Sequence, residues 1–78
     1  MEAWRQAGCV YETMGQYDRA IEHYEKAIEL GDELAAGMLA WLYETGIDKP
    51  NYYLPKNQDL AQFYYQKKED LSQYQNKE

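Results

Sequence analysis

Cysteine and valine each occur once in the 78 residues, proline only twice, and basic residues are outnumbered by acidic ones, 8 to 14. The single Cys9 excludes an internal disulfide framework and a thiolate metal site. Pro50 and Pro55 lie in one short region, so the rest of the chain is free of that helix breaker. β-Branched residues are few, whereas Ala, Leu, Glu, Gln and Lys dominate, which favours helix over strand. No apolar run approaches the ~18–20 residues of a membrane span. The opening MEAWRQAGCVYE lacks the basic segment and apolar core of a secretory signal. A cytoplasmic protein is the resulting expectation.

The scarcity of positive charge is local. Residues 1–46 carry a net charge of −6, whereas residues 47–78 are balanced at zero. An acidic half argues against direct nucleic-acid binding, which needs Lys and Arg to displace counterions. It suits a basic partner surface.

What is present is helical periodicity. Trp4, Ala7, Gly8 and Tyr11 form one stripe, stopped by Gly15. Tyr17, Ala20, Ile21, Tyr24, Ala27 and Ile28 form a second, ended by Gly31. Asp32 is placed to cap a third helix, whose stripe is Ala35, Ala36, Leu39, Ala40, Leu42 and Tyr43 and whose end is Gly46. The segment IDKPNYYLPK, with two prolines and an asparagine, is expected to be a loop. Asn57 can cap a fourth helix carrying Leu60, Ala61, Tyr64, Tyr65 and Leu71, and the polar residues 72–78 are expected to fray. Small residues beside large aromatics let paired helices approach closely. The expected fold is all-α: two antiparallel helix hairpins stacked as a short α-solenoid within one domain, 1–78. Repeat one spans 2–31 and repeat two 32–71, with an inserted loop at 47–56.

Residues 4–31 resemble a tetratricopeptide repeat. Trp4, Ala7, Gly8, Tyr11, Ala20, Tyr24 and Ala27 sit at that family's signature spacing, with Ala7 for the usual leucine and Tyr24 for the usual phenylalanine. Residues 31–68 resemble the related Sel-one-like repeat, through GDELAAGMLAWLYETG and PKNQDLAQFYYQKK. About five residues between Gly46 and Pro55 exceed that family's loop. The resemblance implies a non-enzymatic scaffold that holds another protein or peptide, and it brings no catalytic or cofactor residues. Two repeats are fewer than the three or so usually needed for stability, which leaves a fragment, a homo-oligomer or a domain completed by its partner.

By that resemblance, the exposed face of each first helix lines a groove: Glu2, Arg5, Cys9, Glu12 and Thr13 in the first hairpin, Leu34, Gly37, Trp41, Glu44 and Thr45 in the second. Trp41 lies about 100° round the helix from Ala40, off the internal seam. It is either a partner anchor with Leu34 or packed beneath the 47–56 loop or the fourth helix. Arg5 is the one base on this face, too little to hold a C-terminal carboxylate beside Glu12 and Glu44. Tyr52, Tyr53 and Leu54 offer a second contact surface, with at least one of Tyr53 and Leu54 expected to fold back over the helix ends and the other left available. Asp18, Glu22, Glu25 and Glu29 are expected to be a solvated face, with Glu22 pairing with Lys26. His23 is expected at the surface. No Gly-rich phosphate loop, Ser-His-Asp set or metal-ligand spacing occurs, so no cofactor or metal is expected and an enzyme is the least expected class. The leading expectation is a protein-interaction module using Arg5, Cys9, Glu12, Leu34, Trp41, Glu44, Tyr52 and Tyr53 against a basic or apolar partner. Two alternatives are a small acidic inhibitor or adaptor that occupies a basic surface, and a self-assembling repeat fragment.

Overall fold

Four helices follow the four apolar stripes in a computed structural model that describes residues 2–75. They are α1 (Glu2–Thr13), α2 (Tyr17–Glu29), α3 (Glu33–Thr45) and α4 (Gln58–Gln75). α1 pairs with α2 and α3 with α4, and α2 packs on α3 to join the hairpins. The result is a thin slab of 46 × 26 × 13 Å, all-α apart from one short hairpin between α3 and α4.

Local chemistry sets the helix ends. Asp32 caps α3, accepting from the backbone N–H of Leu34 at 3.0 Å and of Ala35 at 3.4 Å. Asn57 caps α4 by accepting from the Leu60 N–H at 3.0 Å. Gly46 ends α3 at φ 75°, and a Cβ there would lie 3.0 Å from the Leu54 carbonyl oxygen, so a side chain is barred twice over. α4 continues four residues past Leu71, into the expected tail; residues 76–78 lie outside the described residues.

The core is narrow and built from small groups. Ala20, Tyr24, Ala27, Ala35, Ala36, Leu39 and Ala40 are fully buried, with Ile28, Leu42, Ile47 and Ala61 close behind. Tyr24 fits because Gly8 faces it: a Cβ on Gly8 would sit 2.7 Å from the ring. Trp4, expected in the internal stripe, is 38% exposed and packs on His23, whose ring lies between Trp4 and Tyr11 at 5.4 and 4.9 Å. His23 Nδ1 is 2.8 Å from the Arg19 carbonyl oxygen, so this histidine is half-buried and oriented. Lys26 reaches Glu29 at 3.7 Å, not the expected Glu22.

The expected loop at 47–56 is largely an antiparallel hairpin of β1 (Ile47–Lys49) and β2 (Tyr52–Leu54), in the register Ile47↔Leu54 and Lys49↔Tyr52. Pro50 and Asn51 make the two-residue turn, where proline's fixed φ costs nothing. Ile47 is buried in the core and Leu54 packs against it, so each strand has an inward anchor. The tip reaches back to repeat one. Asn51 Nδ2 donates to the Gly15 carbonyl at 3.1 Å, and Tyr52 lies 5.8 Å from Tyr17, ring to ring. The inserted residues therefore strap the second hairpin to the turn of the first.

Candidate functional site

The two repeats share one side-chain frame. Tyr11-Glu12-Thr13 near the end of α1 recurs as Tyr43-Glu44-Thr45 near the end of α3. Thr13 and Thr45 each donate to the carbonyl four residues back, of Cys9 and Trp41, at 2.9 Å. Glu12 Oε1 accepts from the Tyr24 hydroxyl at 2.7 Å, and Glu44 Oε1 accepts from the Tyr65 hydroxyl at 2.7 Å. In each hairpin a tyrosine on the second helix holds the glutamate of the first.

The frame then diverges, and the divergence makes the cleft. Repeat one has Gly8, and Tyr24 drops into the gap to complete burial. Repeat two has Ala40 at the equivalent position, which offers no gap, and Tyr65 stays 38% exposed. Trp41 stands where repeat one has Cys9 and is 54% exposed. Leu34, Gly37, Met38 and Trp41 of α3, Tyr65 and Lys68 of α4 and Glu12 of α1 enclose an open cleft of about 480 Å³. The Lys68 stem lies over Gly37, 3.0 Å from where a Cβ would be. Glu12 and Trp41 also border a second depression of about 380 Å³, shared with Tyr17 and β1.

The site residues expected from the sequence fall into three groups. Leu34, Trp41 and Glu12 meet in the cleft, and Glu44 stands at its edge through Tyr65. Arg5 instead donates from Nε to Asp32 Oδ2 at 2.9 Å and thereby ties α1 to the cap of α3. Cys9 packs on the core with its sulfur 3.4 Å from the Tyr24 hydroxyl. Tyr52 turns inward onto Tyr17, whereas Tyr53 is 67% exposed on the hairpin's outer face, away from the cleft. Met38, Tyr65 and Lys68 were absent from the expected set. The repeated Tyr-Glu-Thr is a usable signal for the frame, but unequal loops place Tyr24 and Tyr65 at different sequence separations from their glutamates, 12 and 21 residues.

Burial first, then the bonds to Cys9 and Glu12, hold the Tyr24 phenol protonated above its ordinary value of 10.0. Burial, with Glu25 nearby, raises Tyr43 and Tyr64, whose rings stack at 5.8 Å. For Tyr65 the bond to Glu44 is the main cause of a rise. An acid with a raised folded-state value contributes stability that is full below the unfolded value and is lost as pH rises above it. Stability should therefore be level from neutral to about pH 10 and fall above it, with tyrosinate absorbance appearing together with unfolding. Ionisation of all nine tyrosines at the ordinary value with the helices intact would contradict this.

Among the described residues, no three His, Cys, Asp or Glu side chains gather as a metal site, and no helix is long and apolar enough to cross a membrane. Two stacked helix hairpins carrying one repeated frame define an α-solenoid repeat protein. Residues 2–31 match the tetratricopeptide repeat and residues 34–67 match the Sel1 repeat, so the chain is a two-repeat protein of these related kinds. Such repeats generally mediate protein–protein interactions. No curated protein and no solved structure matches the chain significantly.

Proposed function

We propose that the chain is a non-enzymatic interaction module whose cleft on α3 receives an apolar segment of a partner protein, with a basic residue of that segment set against Glu12. The observation that carries this is Trp41, a large side chain left 54% exposed beside exposed Leu34 at the mouth of a cleft. An exposed tryptophan on a rigid helix can bury much area on binding with little loss of its own freedom. Charge complementarity supports a basic group: the half of the chain that holds Glu12 has net charge −6. Glu44, held by Tyr65, adds negative charge at the edge.

A panel of peptides varied in apolar content and net charge tests this against the intact protein. Peptides pairing an apolar anchor with Lys or Arg should bind best, and Trp41→Ala should weaken them by ~10-fold or more, the loss of one anchor. Glu12→Gln keeps an acceptor for Tyr24 and removes the charge, so it should weaken basic peptides a few-fold and leave neutral ones unchanged. Binding indifferent to Trp41→Ala and released by salt would sink the cleft reading and favour a small acidic protein that occupies a basic surface.

A further inference from the structure

Only two of the residues lining the cleft carry charge, and their signs are opposite. Glu12 brings a carboxylate from α1. Its partner, the Tyr24 phenol, is held protonated, so the negative charge stays on Glu12. Lys68 brings an ammonium from α4. Its stem lies across Gly37, which has no side chain to lift it from the cleft floor. Among the described residues Lys68 joins no ion pair. One turn away on α4 stand Tyr64, Tyr65, Leu71 and Ser72, none of them acidic. Glu33, one turn before Gly37 on α3, does not bridge to it, and its Oε1 is buried.

Helical phase keeps the two signs apart. α3 rises about 10 Å from Gly37 to Glu44. Lys68 crosses it at the Gly37 end. At the other end Tyr65 holds Glu44, and Glu12 and Trp41 are shared with the second depression, where Asp48 adds a carboxylate and Lys49 is the base. Met38 and Trp41 lie between the two ends. The floor is positive at one end, apolar in the middle and negative at the other.

We propose that the cleft selects a partner segment in which an apolar anchor is flanked by an acidic residue on the Lys68 side and a basic residue on the Glu12 side. This selection rests on the cleft being the docking site, and it assigns the second flank of the anchor to Lys68. A segment basic on both flanks would set one of its charges against Lys68. A segment acidic on both would meet Glu12, Glu44 and Asp48. Only the mixed segment is matched at both ends. About three residues of extended chain span 10 Å, so both charges belong close to the anchor, one spacer away on either side.

Three peptides in identical neutral flanks vary the Lys68 side alone: Glu-Ser-Leu-Ser-Lys, Gln-Ser-Leu-Ser-Lys and Lys-Ser-Leu-Ser-Lys. The intact protein should bind the Glu form about 3-fold tighter than the Gln form, and the Gln form about 3-fold tighter than the Lys form, as partly exposed charge pairs do. Lys68→Gln should erase the first difference. Lys68→Glu should reverse the order of the Glu and Lys forms. Circular dichroism checks that both variants keep their helices, and the comparison of peptides on the parent needs no variant. Equal binding of the three forms by the parent, with Trp41→Ala still weakening them all, would overturn the charge selection and leave the cleft reading standing. A preference for the Glu form that persists in Lys68→Gln would overturn Lys68 as its source. Binding that ignores Trp41→Ala would overturn the cleft reading and this selection with it.

Discussion

Tyr24→Ala should unfold the chain at room temperature. The ring is fully buried between α1 and the joined helices, and truncating a buried aromatic of this size costs about 3–5 kcal/mol. A domain this small has about that much stability in total. Three milder changes separate the causes. Tyr24→Phe keeps the ring and removes the donor to Glu12 and Cys9, which should cost about 0.5–1.5 kcal/mol. Gly8→Ala keeps Tyr24 and closes the gap it occupies. Alanine is the better helix former by about 1 kcal/mol, but overpacking a fixed ring costs about 1–3, so the net effect should be a loss. Gly37→Ala meets only the far end of the flexible Lys68 stem, so there the helix gain should win, by up to about 1 kcal/mol. Loss of helical circular dichroism in buffer checks Tyr24→Ala, and urea midpoints of the three milder variants check their order. A Gly8→Ala protein as stable as the parent would mean that Tyr24 is not held by that gap.

The sequence made the helices legible because their stripes are long and end in glycines at 15, 31 and 46, all of which take positive φ. It hid the β-hairpin because each strand is only three residues, too short for an alternation to be read through two prolines. Helical phase alone put Trp41 off the internal seam but left open whether the 47–56 loop or the fourth helix covered it; the fold leaves both Trp41 and Leu34 about half exposed. Tyr24 is swallowed because Gly8 faces it, whereas the matching position of repeat two carries the methyl group of Ala40 and Tyr65 is left partly at the surface. That difference, and with it the Tyr65 wall of the cleft, is decided by packing between helices and not by either helix's pattern.

Arg5 shows the same limit from the side of charge. Phase placed it on the groove face, and it does lie on α1 as expected, but the fold supplies a nearer demand. An antiparallel α1–α2 pair returns the chain to the start of α1, and Asp32, just past the end of α2, arrives there with one carboxylate oxygen turned to the α3 cap and the other to Arg5. Asp32 is 7% exposed, so this one side chain closes α3 and joins it to α1 at little cost in freedom. Asp32→Ala removes the cap and the charged bond together and should cost roughly 2–4 kcal/mol. Asp32→Asn keeps an acceptor for Leu34 and Ala35 and loses mainly the charge, so about half of that should return. Arg5→Met should resemble Asp32→Asn, and combining the two should cost clearly less than their sum, because both remove one interaction. Equilibrium unfolding of these four proteins decides it: fully additive costs would mean that Arg5 and Asp32 act separately and that their bond does not join the two repeats.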